Sequence, residues 1–286
     1  MSFRCHFVSF GAGRRGYGSA LKRLKKEIKR LDPDAQVWLF DERKVNQDIG
    51  GLDQSFSDFA RDNPRGYGLW VWKPWAVLEV MKSVQQGDIV FYLDAGCTVH
   101  TSPKSKLRYQ WYIKYIREYG SLLFHQKFFE YNWTRREVIE HFQLSEQEVN
   151  SGQLVATIQG HLVSEKQLKF VKDWLYACTL DSGRLLKDVG VLQIEDERFI
   201  EHRHDQSVLS CLAKSKGITT LPDESFHHPK WNRDGVNFPF WTTRKISGLP
   251  RWMGYYAPRA WPFVVKSQLT RKPITKLVDP EYLANL

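Results

Sequence analysis

Apolar and amphipathic segments alternate over the first 94 residues, and this alternation is the strongest constraint on the fold. The apolar segments are CHFVSF (5–10), AQVWLFDE (35–42) and IVFYLD (89–94). SALKRLKKEIKRLD (19–32) lies between the first two, and WAVLEVMKSVQQ (75–86) precedes the third. Strands joined by helices are typical of a mainly parallel sheet flanked by helices. The sequence therefore predicts an α/β fold.

The composition excludes disordered and membrane-spanning chains. It is 42% hydrophobic and 26% charged, which is typical of a globular protein. No run approaches the roughly 18 apolar residues of a membrane span, and MSFRCHFVSF lacks the apolar core of a signal peptide. The four cysteines form no CxxC pair, a pattern typical of reduced, buried thiols. We expect a soluble, cytoplasmic protein.

The net charge of +10 predicts an anionic partner. Nucleic acid, an anionic membrane and phosphorylated small molecules all satisfy that charge. The basic face of segment 19–32 has no interleaved aromatic residues, so we interpret it as a solvated helix face. We expect no nucleic-acid partner, although the basic surface could contact a membrane peripherally.

The composition changes from about residue 224. HHPKWNRDGVNFPFWTTRK and PRWMGYYAPRAWPF are rich in Pro, Trp, Arg and Gly, which predicts an irregular wrap over one face. We therefore predict one main domain over 1–230 and a C-terminal extension over 231–286 that packs on it.

The segment GDIVFYLDAGC (87–97) contains the most informative acid. A buried parallel strand delivers Asp94 at its carboxyl end, which is where α/β sheets bind ligands. Cys97 follows closely but has no evident base, so we interpret it as a packed thiol.

Lys73 lies at the start of a predicted helix, where a cation is unfavourable unless an anion joins it. A phosphate-binding position and an exposed lysine are both consistent with that placement.

The segment FIEHRHDQSVLS (199–210) crowds charged and titratable groups before another helix. Asp205 could cap this helix, which explains Asp205 but not the neighbouring histidines.

His227 and His228, in the C-terminal segment, could be metal ligands, although their spacing matches no zinc signature.

The glycine-rich GAGRRG (11–16) matches the dinucleotide-binding fingerprint, with Asp41 and Glu42 at the end of the next strand as ribose contacts. However, we expect Tyr17 and Gly18 to delay the helix, which the fingerprint requires to begin within the motif. A loop that contacts a nucleotide or sugar in another way is the favoured interpretation.

Four segments together resemble nucleotide-sugar glycosyltransferases of the GT-A fold, of the capsular or lipopolysaccharide type. They are VSFGAG, GYGLWVWKPW, GDIVFYLDAGC and RHDQSVLS, and the resemblance covers residues 5 to about 230. It implies a single Rossmann-like domain that acts in polysaccharide biosynthesis. The implied donor is a UDP- or GDP-linked sugar, and the implied acceptor is a glycan or a lipid-linked molecule.

The resemblance also implies roles for individual residues. In such enzymes an acidic D-x-D-type motif holds ribose and a divalent cation, usually manganese. Here the motif is Asp94-Ala95-Gly96, so the second acid is replaced by Gly96. The implied nucleotide-binding residues are Ser9, Phe10, Gly11, Arg14, Lys73 and Asp94. The implied ligands of Mn²⁺ or Mg²⁺ are Asp94, His227 and His228, and the implied catalytic acids are Asp205 and Glu201.

Two other classes remain open at this point. An NAD(P)-linked oxidoreductase would use the GAGRRG loop, and a basic nucleic-acid-binding protein would use the positive charge. The glycosyltransferase is favoured because it explains Asp94, Lys73 and the RHDQ segment together.

Overall fold

The computed structural model describes residues 3–12, 16–42, 53–188, 194–225, 228 and 230–246. Its strands are β1 (Cys5–Phe10), β2 (Gln36–Phe40), β3 (Ile89–Leu93), β4 (Thr98–Val99), β5 (Ser121–Leu122), β6 (Phe124–Phe129), β7 (Gly152–Leu154), β8 (Ile158–Leu162), β9 (Leu221–Pro222) and β10 (Phe240–Trp241).

The helices, also in chain order, connect these strands and cover them. They are α1 (Tyr17–Leu31), α2 (Asp53–Asp62), α3 (Trp72–Ser83), α4 (Pro103–Tyr119), α5 (Glu130–Trp133), α6 (Arg136–His141), α7 (Glu146–Val149), α8 (Glu165–Gly183), α9 (Asp205–Ser215) and α10 (Trp231–Asp234). A short turn over Gly66–Leu69 precedes α3, and a 3₁₀ turn over Gly235–Asn237 follows α10.

A five-stranded sheet in the order β2-β1-β3-β8-β5 organises the described part of the chain. β1 pairs in parallel with both β2 and β3, while β8 pairs antiparallel with β3 and with β5. Only β8 is reversed, so the other four strands run in the same direction. The predicted α/β class with a mainly parallel sheet flanked by helices is confirmed.

Both faces of this sheet are buried. Val8 and Tyr92 belong to a core that includes α3 and α8, whereas Phe7 and Phe91 belong to a core that includes α1 and α4. Successive strand residues point to opposite faces, so a strand buried on both sides must be apolar throughout. This explains why CHFVSF and IVFYL are nearly continuous apolar runs.

Helix α1 confirms the amphipathic prediction for the segment after the glycines. Leu21, Leu24, Ile28 and Leu31 are buried, and the basic residues between them are mostly exposed. The expectation that Tyr17 and Gly18 delay this helix is wrong, because α1 begins at Tyr17. Gly16 precedes it with a φ of 112°, a left-handed conformation that favours glycine. No helix in the described ranges is long and apolar enough to cross a membrane.

The described part of the predicted C-terminal extension packs on the sheet. β10 pairs antiparallel with β4, and Phe240 lies among Phe7, Phe91 and Tyr109. Phe240 is only 2% exposed, so it is part of the core. The boundary at residue 230 stays a prediction.

Candidate active site at the carboxyl edge of the sheet

Asp94 is the first residue after β3 and lies at the carboxyl edge of the sheet. Its side chain is 33% exposed, unlike the fully buried strand before it. The Tyr92 hydroxyl donates a 2.6 Å hydrogen bond to Asp94 Oδ1, and the Asp94 backbone N–H donates to the Thr157 carbonyl at 3.1 Å. Asp94 is therefore held in place and accessible.

Lys73 is buried beside two carboxylates. It is the second residue of α3 and is 3% exposed, so the exposed-lysine interpretation is wrong. Its Nζ lies 2.8 Å from Asp205 Oδ2 and 3.5 Å from Asp94 Oδ1. These two carboxylates supply the negative charge that a cation at a helix N-terminus requires. The fold thus brings together three residues that the sequence singled out separately.

Asp205 is the first residue of α9, and His204 precedes it at the cap position. The prediction that Asp205 caps this helix is therefore wrong. Asp205 is 3% exposed, and burial raises the pKa of its carboxyl to about 6 in spite of the Lys73 ammonium. Burial alone would lower the pKa of Lys73, but Asp205 and Asp94 outweigh that effect and raise it.

The raised pKa of Asp205 predicts how stability depends on pH. The folded carboxyl, with a pKa near 6, holds a proton more tightly than the unfolded one, with an ordinary pKa of 3.8. The stabilisation that the Asp205 carboxyl gives the folded state is therefore fully present below about pH 4 and is lost as the pH rises through about 6. We expect the free energy of unfolding of the wild type, relative to Asp205→Asn, to fall by up to about 3 kcal/mol over this range. Urea unfolding at several pH values measures this difference, and a constant difference from pH 4 to 7 would contradict it.

Strained backbone surrounds this buried ion pair. The residues from Gly66 to Trp70 all have positive φ, between 51° and 83°. His204 also has a positive φ of 53°, and its ring lies 5.5 Å from the Trp70 ring. Positive φ in non-glycine residues is costly and is concentrated at functional sites.

The two histidines of the RHDQ segment are buried. His202 Nε2 donates to the Leu185 carbonyl at 2.9 Å, and His204 Nδ1 donates to the Leu186 carbonyl at 2.6 Å. Burial lowers the pKa of both rings, which keeps them neutral at physiological pH. Their hydrogen bonds fix the backbone before Asp205.

Glu201 lies in an arginine cluster and does not contact Lys73. It accepts a hydrogen bond from Arg65, and Arg203 Nη1 lies 3.5 Å from its other oxygen. Burial alone would raise the pKa of Glu201, but Arg203 and Arg65 outweigh that effect and lower it. A lowered pKa makes Glu201 a weaker proton acceptor than Asp205.

Ser9 and Phe10 end β1, Gly11 follows it, and all three are buried. The Phe10 ring stacks on Trp72 with centroids 3.9 Å apart, and Ser9 Oγ has no hydrogen-bond partner among the described residues. Arg14 lies outside the described residues. The assignment of these four residues to the nucleotide stays a prediction.

The loop Asp94-Ala95-Gly96 is closed by the C-terminal segment. A Cβ on Gly96 would lie 2.9 Å from Arg244 Cα, and Lys245 N–H donates to the Gly96 carbonyl at 2.8 Å. Thr243 Oγ1 donates to the same carbonyl at 3.1 Å. The space that a second acidic side chain would need is therefore filled by backbone.

The residues described here do not form a divalent-metal site around Asp94. Within the described ranges, no three His, Cys, Asp or Glu side chains are grouped so that they could hold a metal ion. His228 accepts a hydrogen bond from Lys230 N–H at 3.2 Å and packs on Phe238. His227 lies outside the described residues. The Lys73 ammonium next to Asp94 also disfavours a second cation there.

Cys97 is a buried thiol, as the sequence predicts. Burial raises its pKa well above the ordinary value, and Asp94 adds to the effect. A thiol held protonated in this way is a poor nucleophile.

Sequence reasoning missed four residues of this site. Tyr92 could have been found, because it lies two positions before Asp94 and therefore faces the same side of the strand. Arg203 could also have been found, because it lies in the RHDQ segment two residues before Asp205. Arg65 and Arg244 had no local signal, since contacts across the chain bring them to the site.

The sequence matches no protein-family model, and a comparison with curated proteins finds no match. Among solved structures, mouse xyloside xylosyltransferase 1 in its apo form is similar with a TM-score of 0.46 and 7% identity, over 86% of this chain and 99% of that one. The galactosyltransferase LgtC in complex with donor and acceptor sugar analogues is similar with a TM-score of 0.44 and 14% identity, over 92% of this chain and 95% of that one. A glycosyltransferase involved in the glycosylation of the major capsid of PBCV-1 is similar with a TM-score of 0.42 and 11% identity, over 88% of this chain and 97% of that one. All three TM-scores are below 0.5, so the function proposed below rests on the residues of this chain.

Proposed function

We propose that this chain is a glycosyltransferase of the GT-A type, which moves a sugar from a nucleoside diphosphate to a hydroxyl acceptor. The observation that carries this proposal is the Lys73 ammonium between Asp94 and Asp205 at the carboxyl edge of the sheet. A ligand site is expected at this edge of an α/β sheet. Asp94 is the exposed member of the group, so it is the carboxylate that a bound donor can reach.

The chemistry that we propose uses these groups in separate roles. Asp94 accepts hydrogen bonds from hydroxyl groups of the donor, since an ionised carboxylate only accepts. The leaving nucleoside diphosphate develops negative charge, which positively charged side chains stabilise. Asp205 is ionised at neutral pH with a pKa near 6, so it can accept a proton from an acceptor hydroxyl.

Half-buried aromatic rings beside the site support a glycan as the acceptor. The Trp70 ring packs against His204, and the Arg203 guanidinium lies 4.1 Å from the Trp133 ring centroid. Both tryptophans thus flank the segment that leads to Asp205. The same proposal includes a UDP- or GDP-linked donor and a lipid-linked form of the acceptor. It also includes a role in polysaccharide biosynthesis, a cytoplasmic location and a membrane contact through the basic face of α1.

A thermal-shift comparison tests the proposed class. We expect UDP or GDP, or a sugar nucleotide of either, to raise the melting temperature, because a ligand that binds only the folded state stabilises it. NADH is the matched ligand for the oxidoreductase class, and an oligonucleotide of about 20 nucleotides is the matched ligand for the nucleic-acid-binding class. Stabilisation by NADH alone would support the oxidoreductase and contradict the proposal.

Asp94→Asn tests the site within this function. The variant keeps the size of the side chain and removes its charge, so we expect sugar-nucleotide affinity to fall about 10- to 100-fold, the value of one or two charge-assisted hydrogen bonds. Isothermal titration calorimetry measures the affinity. Asp173→Asn is the matched control and should bind as the wild type does, because Asp173 lies on α8 with its side chain 29% exposed and paired with Lys169. Equal affinities for Asp94→Asn and the wild type would remove Asp94 from the site.

A further inference from the structure

We propose that the donor site of this chain works without a divalent cation. Lys73 supplies the positive charge beside Asp94, and the arginines Arg203 and Arg244 supply the charge that faces the donor diphosphate. This inference rests on the proposed function and specifies how its leaving group is held.

The Lys73 ammonium offsets part of the negative charge at Asp94 and Asp205. Asp94 and Asp205 carry a charge of −2 when both are ionised, and the Lys73 ammonium reduces this to −1. Lys73 Nζ lies within 3.5 Å of one carboxylate and 2.8 Å of the other, and only 3% of the residue is exposed. A divalent cation bound to Asp94 would lie close to this buried ammonium, and their repulsion would be strong in a site of low dielectric constant. Lys73 therefore takes the position in which a metal would otherwise balance the two acids.

The loop Asp94-Ala95-Gly96 has no room for a second acidic metal ligand. Gly96 stands where a second metal-binding acid is expected, and a side chain there would collide with the backbone of Arg244. The contact is fixed by hydrogen bonds from Lys245 and Thr243 to the Gly96 carbonyl. Arg23 reinforces it, because its Nη2 donates to the Ala95 and Lys245 carbonyls at 3.0 Å each. The same packing that excludes a second acid places an arginine next to the loop.

Arg203 and Arg244 are the two arginines that we assign to the donor diphosphate. Arg244 is exposed and lies within the segment that closes the Asp94 loop. Arg203 lies two residues before Asp205 and is half-buried over Trp133. Burial lowers the pKa of Arg203, Glu201 opposes this effect, and Arg244 and Arg65 lower the pKa further. A guanidinium whose pKa is lowered by neighbouring positive charge is stabilised when an anion binds beside it. Planar guanidinium groups also match the geometry of phosphate oxygens.

Nucleotide titrations with and without metal test the inference. UDP and GDP are titrated into the full-length protein by calorimetry, once with EDTA and once with Mn²⁺ in excess. We expect the dissociation constant of the nucleotide that binds to differ by less than about threefold between the two buffers. Binding that appears only with Mn²⁺, or that weakens more than about tenfold in EDTA, would overturn the inference and leave the proposed function standing. Absence of binding in both buffers would contradict the proposed function, and the inference with it.

A matched pair of variants tests the arginine part. Arg244→Ala should weaken nucleotide binding about tenfold or more in both buffers, the value of one charge-assisted hydrogen bond to a phosphate. Arg30→Ala, on the exposed basic face of α1, removes the same charge from elsewhere and should bind as the wild type does. The melting temperatures of both variants should stay close to that of the wild type, because both side chains are exposed. Equal affinities for Arg244→Ala and Arg30→Ala would overturn the assignment of Arg244.

Discussion

Replacing Lys73 with methionine is expected to lower the free energy of unfolding by about 3 to 5 kcal/mol at pH 7, the typical cost of removing one partner of a buried ion pair. Methionine keeps the length of the side chain but leaves Asp205, which is 3% exposed, without its cation. Chemical unfolding with urea measures the change. The loss should be smaller at pH 5, because Asp205 has a pKa near 6 and is then mostly protonated.

Two controls separate the buried ion pair from the loss of a charge as such. Lys82→Met removes a lysine from the same helix, where Lys82 is 49% exposed and pairs with Glu79, and should cost less than about 1 kcal/mol. The double variant Lys73→Met/Asp205→Asn should regain part of the stability, since no uncompensated charge remains at the buried position of Asp205. If Lys73→Met and Lys82→Met unfolded alike, the buried ion pair would not be a main stabilising contact.

The second large effect is expected for Gly66→Ala, which should destabilise the protein by about 2 to 5 kcal/mol. Gly66 has a φ of 61°, and a Cβ there would lie 2.4 Å from Trp70 Cδ2. Left-handed backbone costs a non-glycine residue about 1 to 2 kcal/mol, and overpacking typically adds about 1 to 3 kcal/mol. The Gly66 carbonyl also accepts a 2.9 Å hydrogen bond from Trp72 Nε1, so displacement of the turn would disturb the start of α3 and with it Lys73.

Gly18→Ala is the matched control for this substitution. Gly18 lies in α1, and a Cβ there would have nothing within 4 Å. Alanine is favoured over glycine in a helix by about 1 kcal/mol, so this variant should be unchanged or slightly more stable. Thermal and urea unfolding compare the two variants. A Gly66→Ala protein as stable as Gly18→Ala would show that the turn adapts to a side chain.

The strands and the three charged residues of the site were predictable because their signals are local. Continuous apolar runs mark β1 and β3 as strands buried on both faces, and Asp94 follows β3 directly. Lys73 was conspicuous because a cation is unfavourable at the start of a helix. The meeting of Lys73 with both acids was not predictable in detail, since these residues are separated by 21 and 132 positions in the chain.

Long-range contacts also explain why one strand prediction from the sequence is wrong. The largely apolar segment QLVATIQGHLV (153–163) by itself predicts one strand, but the structure divides this region between β7 and β8, which belong to different sheets. The backbone between β7 and β8 forms its hydrogen bonds with other parts of the chain. The Ala156 N–H donates to Gln206 Oε1, and the Thr157 carbonyl accepts from the Asp94 backbone N–H. Partners from α9 and from the Asp94 loop thus replace the strand ladder, and a single segment of sequence carries no sign of them.

The release of nucleoside diphosphate from a donor tests the central claim most directly. Wild-type protein, Asp94→Asn and the control Asp173→Asn are each incubated with a set of UDP- and GDP-linked sugars, and the freed UDP or GDP is quantified. We expect the wild type and Asp173→Asn to release nucleotide from at least one donor, and Asp94→Asn to release it at least about tenfold more slowly, in keeping with the loss of a charge-assisted contact to the donor. Release by Asp94→Asn at the wild-type rate, or no release from any of these donors by the wild type, would contradict a sugar-transfer site at Lys73, Asp94 and Asp205.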